Sequence, residues 1–276
     1  MSAVVSALFV YPVKSCRGIA VDRAEVEARG LRRDRRWLVV DASRRFVSQR
    51  EEPRLATVDV AVDEEGEALV LSASGRGEVR LALSPGEGPR IRVQVWRDEV
   101  EAVHAGDEGA RWMSELLGSP ASIVFMPDDA ARPVRPDFAQ PGDHVSFADA
   151  FPLLVATTAS LGDLNARLDR PLPMNRFRPN VVVDGCEPWE EDGWRRAQVG
   201  GVPLRVPKGC DRCVVTTTDQ GTGERGVEPL RTLATFRERD RKVYFGVNGI
   251  PEARGTVAVG DPFRVLESAR PGSAQA

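Results

Sequence analysis

The chain has 276 residues, of which 42% are hydrophobic, and a formal net charge of −3. At roughly 150 residues per domain, this length predicts one large or two small domains, and the apolar content excludes wholesale disorder. No apolar run approaches the roughly 18 residues that span a membrane, and no basic run precedes the apolar start, so neither a membrane protein nor a signal peptide is expected. The mild acidity argues against a nucleic-acid-binding protein. Four cysteines are too few for a secreted fold held by disulfides.

The first 105 residues or so consist of short runs separated by connections that contain Gly, Glu or Pro. Apolar and polar side chains alternate in several of these runs, which predicts strands joined by hairpins in a partly closed sheet. A helix is predicted over residues 108–117, with Gly118 as its C-cap. The proline-rich residues 119–142 are expected to cross or link two units and to hold the domain boundary. The clearest strand-like runs cover residues 37–40, 58–62, 68–72, 79–84 and 91–95.

In the second half, one helix is expected to start at Thr158, and another is expected to have Pro229 at its first position. The small residues, Arg and Pro of residues 268–276 predict a disordered tail. Because strands outnumber helices, the expected fold class is α+β, mainly β. Further strands are predicted over residues 180–183, 197–199, 202–206, 213–218, 256–259 and 263–266.

A Cys-x-x-Cys pair, Cys210 and Cys213, is the most informative motif. A structural zinc site needs two more ligands, and no second pair exists. A thioredoxin-type redox pair stands where a helix begins, whereas the Val-Val-Thr-Thr-Thr that follows here favours a strand. Two interpretations stay open on the residues alone. The cysteines are half-buried side chains near the start of a strand, or one thiolate binds a soft metal, with Lys208 and Arg212 beside it.

Three loops concentrate basic residues. Residues 11–18 place Lys14 and Ser15 directly after an apolar run, and ammonium, hydroxyl and backbone N–H groups together can bind a phosphate. Residues 30–37 hold four arginines, and residues 175–180 are again rich in arginine. Each loop alone is compatible with a solvated turn. Together, in a chain of negative net charge, they predict a positive pocket for an anionic ligand.

These segments resemble, in their order along the chain, the MOSC superfamily, and within it the branch of amidoxime-reducing components and their bacterial relatives. The resemblance implies an N-terminal β-barrel domain over residues 1–120, followed by a MOSC β-barrel domain with peripheral helices over residues 121–267. It is carried by residues 10–16, 52–55, 159–165, 175–180, 210–217, 228–230 and 255–262.

The resemblance further implies a molybdenum cofactor held between the two domains, with Cys213 as the thiolate ligand of molybdenum and as the catalytic residue. No iron–sulfur cluster is expected in this chain. Asn248 matches a position that is aromatic in some relatives. The residues that match cofactor-binding positions are Lys14, Ser15, Arg35, Arg178, Asn180, Asp211, Arg212, Cys213 and Asn248.

The activity implied by the resemblance is the reduction of N-hydroxylated compounds such as amidoximes and hydroxylamines. The chain lacks the cysteine-rich ferredoxin-like domain of some bacterial relatives, so electrons are expected from a separate ferredoxin or from a cytochrome b5-like protein with its reductase. A cytoplasmic location is expected, with neither nucleic acid nor membrane as a partner. Two alternatives are a sulfur-transfer protein with a persulfide on Cys213, and a cofactor carrier without turnover.

Overall fold

The structure is a computed structural model in which residues 2–86 and 88–269 are described. Strands predominate and the helices are short, which confirms the predicted α+β, mainly β class. Among these residues, no helix is both long and apolar enough to cross a bilayer. The helices are α1 (Asp107–Leu117), α2 (Thr158–Asn165) and α3 (Leu230–Ala234), and short 3-10 helices cover Pro53–Thr57, Met174–Arg176, Glu190–Gly193 and Val214–Thr217.

The strands are distributed over the whole described chain. Those of the first half are β1 (Val4–Val10), β2 (Ile19–Val21), β3 (Arg23–Glu27), β4 (Gly30–Leu31), β5 (Trp37–Asp41), β6 (Asp59–Asp63), β7 (Ala68–Ala73), β8 (Gly77–Ala82), β9 (Arg90–Val95), β10 (Asp98–His104) and β11 (Ala121–Phe125). Those of the second half are β12 (Leu153–Thr157), β13 (Val181–Asp184), β14 (Trp194–Val199), β15 (Val202–Arg205), β16 (Gly209–Asp211), β17 (Glu238–Arg239), β18 (Lys242–Pro251), β19 (Gly255–Ala258) and β20 (Phe263–Ser268).

The largest sheet joins the two halves of the chain. Its strands run in the order β2-β1-β13-β12-β18-β15-β14-β20, and β16 and β17 also pair with β18. The first-half strand β1 pairs antiparallel with β13, and β3 pairs antiparallel with β19. Val5 and Leu8 pack in one core with Val183 and Val247 across this junction. Shared strand pairing and a shared core therefore fix the loops of one half against those of the other.

The first half also forms two smaller sheets, in the orders β5-β11-β10-β9 and β6-β7-β8, and α1 packs Met113 into the core beneath them. The predicted strands and the predicted helix are confirmed, and Gly118, with a φ of 70°, is the C-cap of α1. The interpretation of residues 119–142 as a crossing segment is wrong for β11, which pairs with β5 and β10. There the burial of Ile123 and Val124 outweighs the surrounding prolines. The boundary at residue 120 stays a prediction.

In the second half, the predicted strand at 213–218 is wrong. After Cys213 the chain forms the 3-10 helix Val214–Thr217. The hydroxyls of Thr216 and Thr217 donate to carbonyl oxygens three residues earlier, at 2.9 and 2.8 Å. Such local hydrogen bonds compete with strand pairing and overcome the β preference of Val and Thr.

The start of α2 at Thr158 is confirmed, whereas its capping residue, the start of α3 and the tail differ from the predictions. Thr157, and not Thr158, caps α2, because its hydroxyl accepts the Ser160 N–H at 3.1 Å. Pro229 is the N-cap of α3 and not its first helical residue. Ser268, predicted as the first residue of the tail, ends β20, and residues 270–276 lie outside the described residues.

Candidate functional site

One cavity of about 930 Å³ lies where loops from both halves meet. It is bordered by the segments that follow β1 and β16, by those that precede β5 and β13, and by the inner part of β18. These elements bring together all nine residues that the sequence singled out, although their binding roles stay predictions. These nine predicted residues, all among those that line the cavity, are Lys14, Ser15, Arg35, Arg178, Asn180, Asp211, Arg212, Cys213 and Asn248.

The cavity wall is strongly cationic. Asp98, Asp149 and Asp211 are the acidic residues among its described lining residues, against nine lysines and arginines. In a chain of net charge −3, this imbalance concentrates positive potential at one place and favours an anionic ligand. The cationic lining residues are Lys14, Arg35, Arg50, Arg97, Arg132, Arg135, Arg178, Lys208 and Arg212.

The Cys213 thiol is half-buried at the cavity wall, immediately before the 3-10 helix. The Arg50 guanidinium donates from Nη2 to Cys213 Sγ at 3.2 Å and lies 3.5 Å from Asp149 Oδ2. It also stacks over the Trp96 ring, with its Cζ 4.6 Å from the ring centroid. Sequence reasoning missed Arg50, Asp149 and Trp96. Arg50 lies just before the family segment at 52–55, and the two glutamates that follow it keep it from marking a basic loop.

Lys14 is buried beside this group, with 6% of its surface exposed. Its ammonium donates to the Phe147 carbonyl at 2.8 Å and pairs with Asp149 Oδ1 at 2.5 Å. Burial lowers the pKa of Lys14 to about 8, and the Asp149 charge offsets only part of that effect. Burial acts to raise the pKa of Asp149, but the charges of Lys14 and Arg50 outweigh it and hold that pKa well below its usual range.

Two further arginines of the cavity wall lie over the same aromatic ring. The Cζ atoms of Arg35 and Arg178 lie 4.3 and 4.4 Å from the centroid of the Tyr11 ring. Arg35 is held by Asp34 at 2.6 Å, and Arg178 donates to the Cys16 carbonyl at 2.7 Å. Burial lowers the pKa of Arg178 to about 10. The two guanidiniums are thus fixed in place as a positive wall.

The two predicted asparagines are engaged within the protein. Asn180 is 1% exposed, and its amide donates to Asp34 Oδ1 at 2.9 Å and accepts the Leu154 N–H at 3.1 Å. Asn248 donates from its amide to the Gly209 carbonyl at 3.1 Å. Their hydrogen bonds therefore hold neighbouring loops in place, including the loop that carries Arg35.

Around the Cys-x-x-Cys motif, the two sulfurs have different partners. Arg212 donates to Cys210 Sγ at 2.9 Å and to the Phe177 carbonyl at 2.7 Å, while its buried Nε has no hydrogen-bond partner among the described residues. Burial raises the pKa of Cys210. Asp211 pairs with Lys208 at 2.9 Å. Cys210 is therefore bound by Arg212 from within the motif, whereas Cys213 is bound by Arg50 from the other half of the chain.

Ser15 lies at the turn between Lys14 and the buried Cys16, with a φ of 72°. Its hydroxyl accepts the Gln49 N–H at 3.3 Å, and its carbonyl accepts the Gln49 side-chain amide at 2.6 Å. Gln49 directly precedes Arg50, so these bonds tie the Lys14 loop to the loop that reaches Cys213. The predicted phosphate loop and the cysteine motif are consequently positioned together.

Comparison with known proteins gives the family. Residues 2–120 match the MOSC N-terminal beta barrel domain, and residues 142–264 match the MOSC domain. The chain is 37% identical to mitochondrial amidoxime-reducing component 1 of Homo sapiens, over 95% of this chain and 82% of that protein. It is 34% identical to mitochondrial amidoxime reducing component 2 of Homo sapiens, over 94% of this chain and 82% of that protein. With matches of this extent over both halves, the chain belongs to the MOSC family.

Proposed function

We propose that this protein is a molybdenum-cofactor-dependent reductase of N-hydroxylated compounds. The observation that carries the proposal is the meeting of the Cys213 thiol with the predicted basic residues in one cationic cavity. The relatives named amidoxime-reducing components support the class of reaction.

The residues of the cavity fit the cofactor chemically. A phosphate-bearing pterin requires cations, and molybdenum favours soft sulfur ligands, which Cys213 and the surrounding lysines and arginines can provide. The buried Arg212 Nε without a partner offers one more donor to a ligand. Ligand pockets commonly measure roughly 300–1,000 Å³, and the cavity volume of about 930 Å³ falls within that range.

Different residues take different parts in holding the cofactor. Cys213 is the proposed metal ligand, and Lys14, Arg35 and Arg178 bind the anionic end of the cofactor. Arg212, whose guanidinium donates to Cys210 Sγ, contributes a further positive charge to the cavity wall. When bound, the cofactor supplies two-electron redox chemistry and accepts an oxygen atom, while the protein supplies ligation, charge and orientation.

The proposed net reaction is the removal of oxygen from an amidoxime or a hydroxylamine. The N–O bond breaks, two electrons and two protons are consumed, and the products are the amidine or amine and water. The electrons come from a separate donor, either a ferredoxin or a cytochrome b5-like protein with its reductase. Arg50 orients the sulfur during this chemistry, because its guanidinium donates directly to Cys213 Sγ.

The test compares the wild type with Cys213→Ser, both made in a cofactor-competent host. The molybdenum and pterin content of each protein is measured first. The reduction of benzamidoxime is then measured with an artificial electron donor. We expect stoichiometric molybdenum and turnover in the wild type, and loss of turnover in the variant. Wild-type protein without molybdenum would overturn the proposal. A persulfide on Cys213 without metal would instead support sulfur transfer, and loaded protein that leaves benzamidoxime unchanged would support a carrier.

A further inference from the structure

The tip of the β9–β10 hairpin has an unusual residue in its turn. Val95 pairs with Asp98, so the loop consists of Trp96 and Arg97 alone. Trp96 has a φ of 58°, in the left-handed region that favours glycine at such a position. A large aromatic residue held in that conformation at the wall of a cavity is the kind of outlier that points to a function.

Several contacts fix the Trp96 ring. Its Nε1 donates to Asp149 Oδ1 at 3.2 Å, its centroid lies 4.8 Å from that of Phe46, and Arg50 stacks on it. Even so, Trp96 is 41% exposed and lines the cavity. A fixed, partly exposed aromatic ring is suited to stack against a flat ligand.

The neighbouring Arg97 is exposed and also lines the cavity. Its guanidinium makes no hydrogen bond or ion pair with any other residue that the structure describes. By contrast, Arg132 pairs with Asp98 at 2.7 Å and Arg135 with Asp137 at 3.2 Å. Arg97 is therefore the tip's available cation, and the nearby Asp98 carboxylate is already paired.

The hairpin tip lies one side chain away from the reactive sulfur, because Arg50 contacts both the Trp96 ring and Cys213 Sγ. The remaining atoms of a substrate bound at the metal that Cys213 would hold are therefore within reach of this tip. A guanidinium is well matched to a carboxylate, which it can bind with two parallel hydrogen bonds.

Resting on the proposed function, we infer that Trp96 and Arg97 form the specificity element of the site. Trp96 stacks on the planar body of an N-hydroxylated aromatic substrate, and Arg97 pairs with an anionic group on that body. The preferred substrate class is thus aromatic N-hydroxylated compounds that carry a carboxylate.

The experiment compares benzamidoxime with 4-carboxybenzamidoxime. Binding to the holoenzyme is measured by calorimetry without an electron donor, so that no turnover occurs, and KM is then measured with an artificial donor. An exposed guanidinium–carboxylate pair of good geometry predicts that the wild type prefers the carboxylate about fivefold. Arg97→Gln is expected to abolish that preference, because it removes the cation that pairs with the carboxylate. Arg92→Gln is the matched control, because Arg92 is an exposed arginine of the same hairpin that does not line the cavity.

The ring is tested with Trp96→Gly, which suits the left-handed backbone, and with Trp96→Phe, which keeps an aromatic face. We expect the glycine variant to weaken both ligands about fivefold and the phenylalanine variant to restore most of the binding. A wild type without preference, or a preference that survives in Arg97→Gln, would overturn the inference. Arg97-dependent binding in a protein that reduces neither compound would instead overturn the proposed function and leave the tip's role intact.

Discussion

The burial of Lys14 predicts a pH dependence for cofactor retention. Burial lowers the pKa of its ammonium to about 8, while Asp149 opposes this shift and Arg50 and Arg132 add to it. An anionic phosphate bound at Lys14 favours the charged form and raises that pKa in the complex. Binding therefore requires a proton on Lys14, and the affinity for the cofactor falls as the pH rises above about 8.

The size of this pH dependence follows from the titration of Lys14 alone. Below pH 8 the ammonium is already charged in the ligand-free protein, so the affinity is nearly constant. Above pH 8, each further pH unit lowers the affinity for the cofactor about tenfold, or by about 1.4 kcal/mol, until the pKa of Lys14 in the complex is reached. Near pH 9 the affinity is thus expected to be about tenfold lower than near pH 7.

The assay is the pterin fluorescence retained by the holoenzyme after gel filtration between pH 7 and pH 9.5, where the wild type is expected to lose cofactor progressively. Lys14→Arg is the matched control, because a guanidinium stays charged over this range and should flatten the profile. Lys14→Met removes the charge and should retain little cofactor at any pH. If the wild type and Lys14→Arg lose cofactor in parallel, Lys14 does not bind the anionic end.

The remaining predictions concern residues that hold the site together. Arg50→Gln removes the donor to Cys213 Sγ, and we expect kcat/KM to fall about tenfold in steady-state assays while molybdenum content is retained. Unchanged kinetics would exclude a role for that contact. Asn180→Leu leaves the buried Asp34 carboxylate without one of its donors and should lower the free energy of unfolding by about 2–4 kcal/mol in urea denaturation. Thr157→Val removes the N-cap of α2 and should cost about 1–2 kcal/mol in the same assay, and a neutral result in either variant would contradict its assigned contacts.

Much of the site could be predicted because its residues stand in recognisable short motifs. Lys14, Arg35 and Arg178 each belong to a basic loop next to a strand, and the structure brings those loops to one cavity. Arg50 and Trp96 could not be found in this way. Arg50 is followed by two glutamates and does not belong to a basic loop, and Trp96 belongs to no recognisable motif. Only folding brings Arg50 to Cys213 and Trp96 to Arg50.

The fold, like the site, could be predicted only in part from the sequence. Alternating strands such as β6 were predicted correctly, since one of their faces is exposed to solvent. The long strand β18 was not predicted, because residues 245–251 are all buried and no alternation marks them. The segment after Cys213 was misassigned because local hydroxyl bonds, invisible to propensity, decide its conformation.

The central claim is that Cys213, and not its neighbour Cys210, serves the chemistry of the cavity. The most direct measurement is benzamidoxime reduction per bound molybdenum in Cys210→Ser and Cys213→Ser, prepared side by side with the wild type. We expect Cys210→Ser to keep the wild-type rate and Cys213→Ser to lose it. Equal rates in the two variants, or loss in Cys210→Ser alone, would contradict the claim.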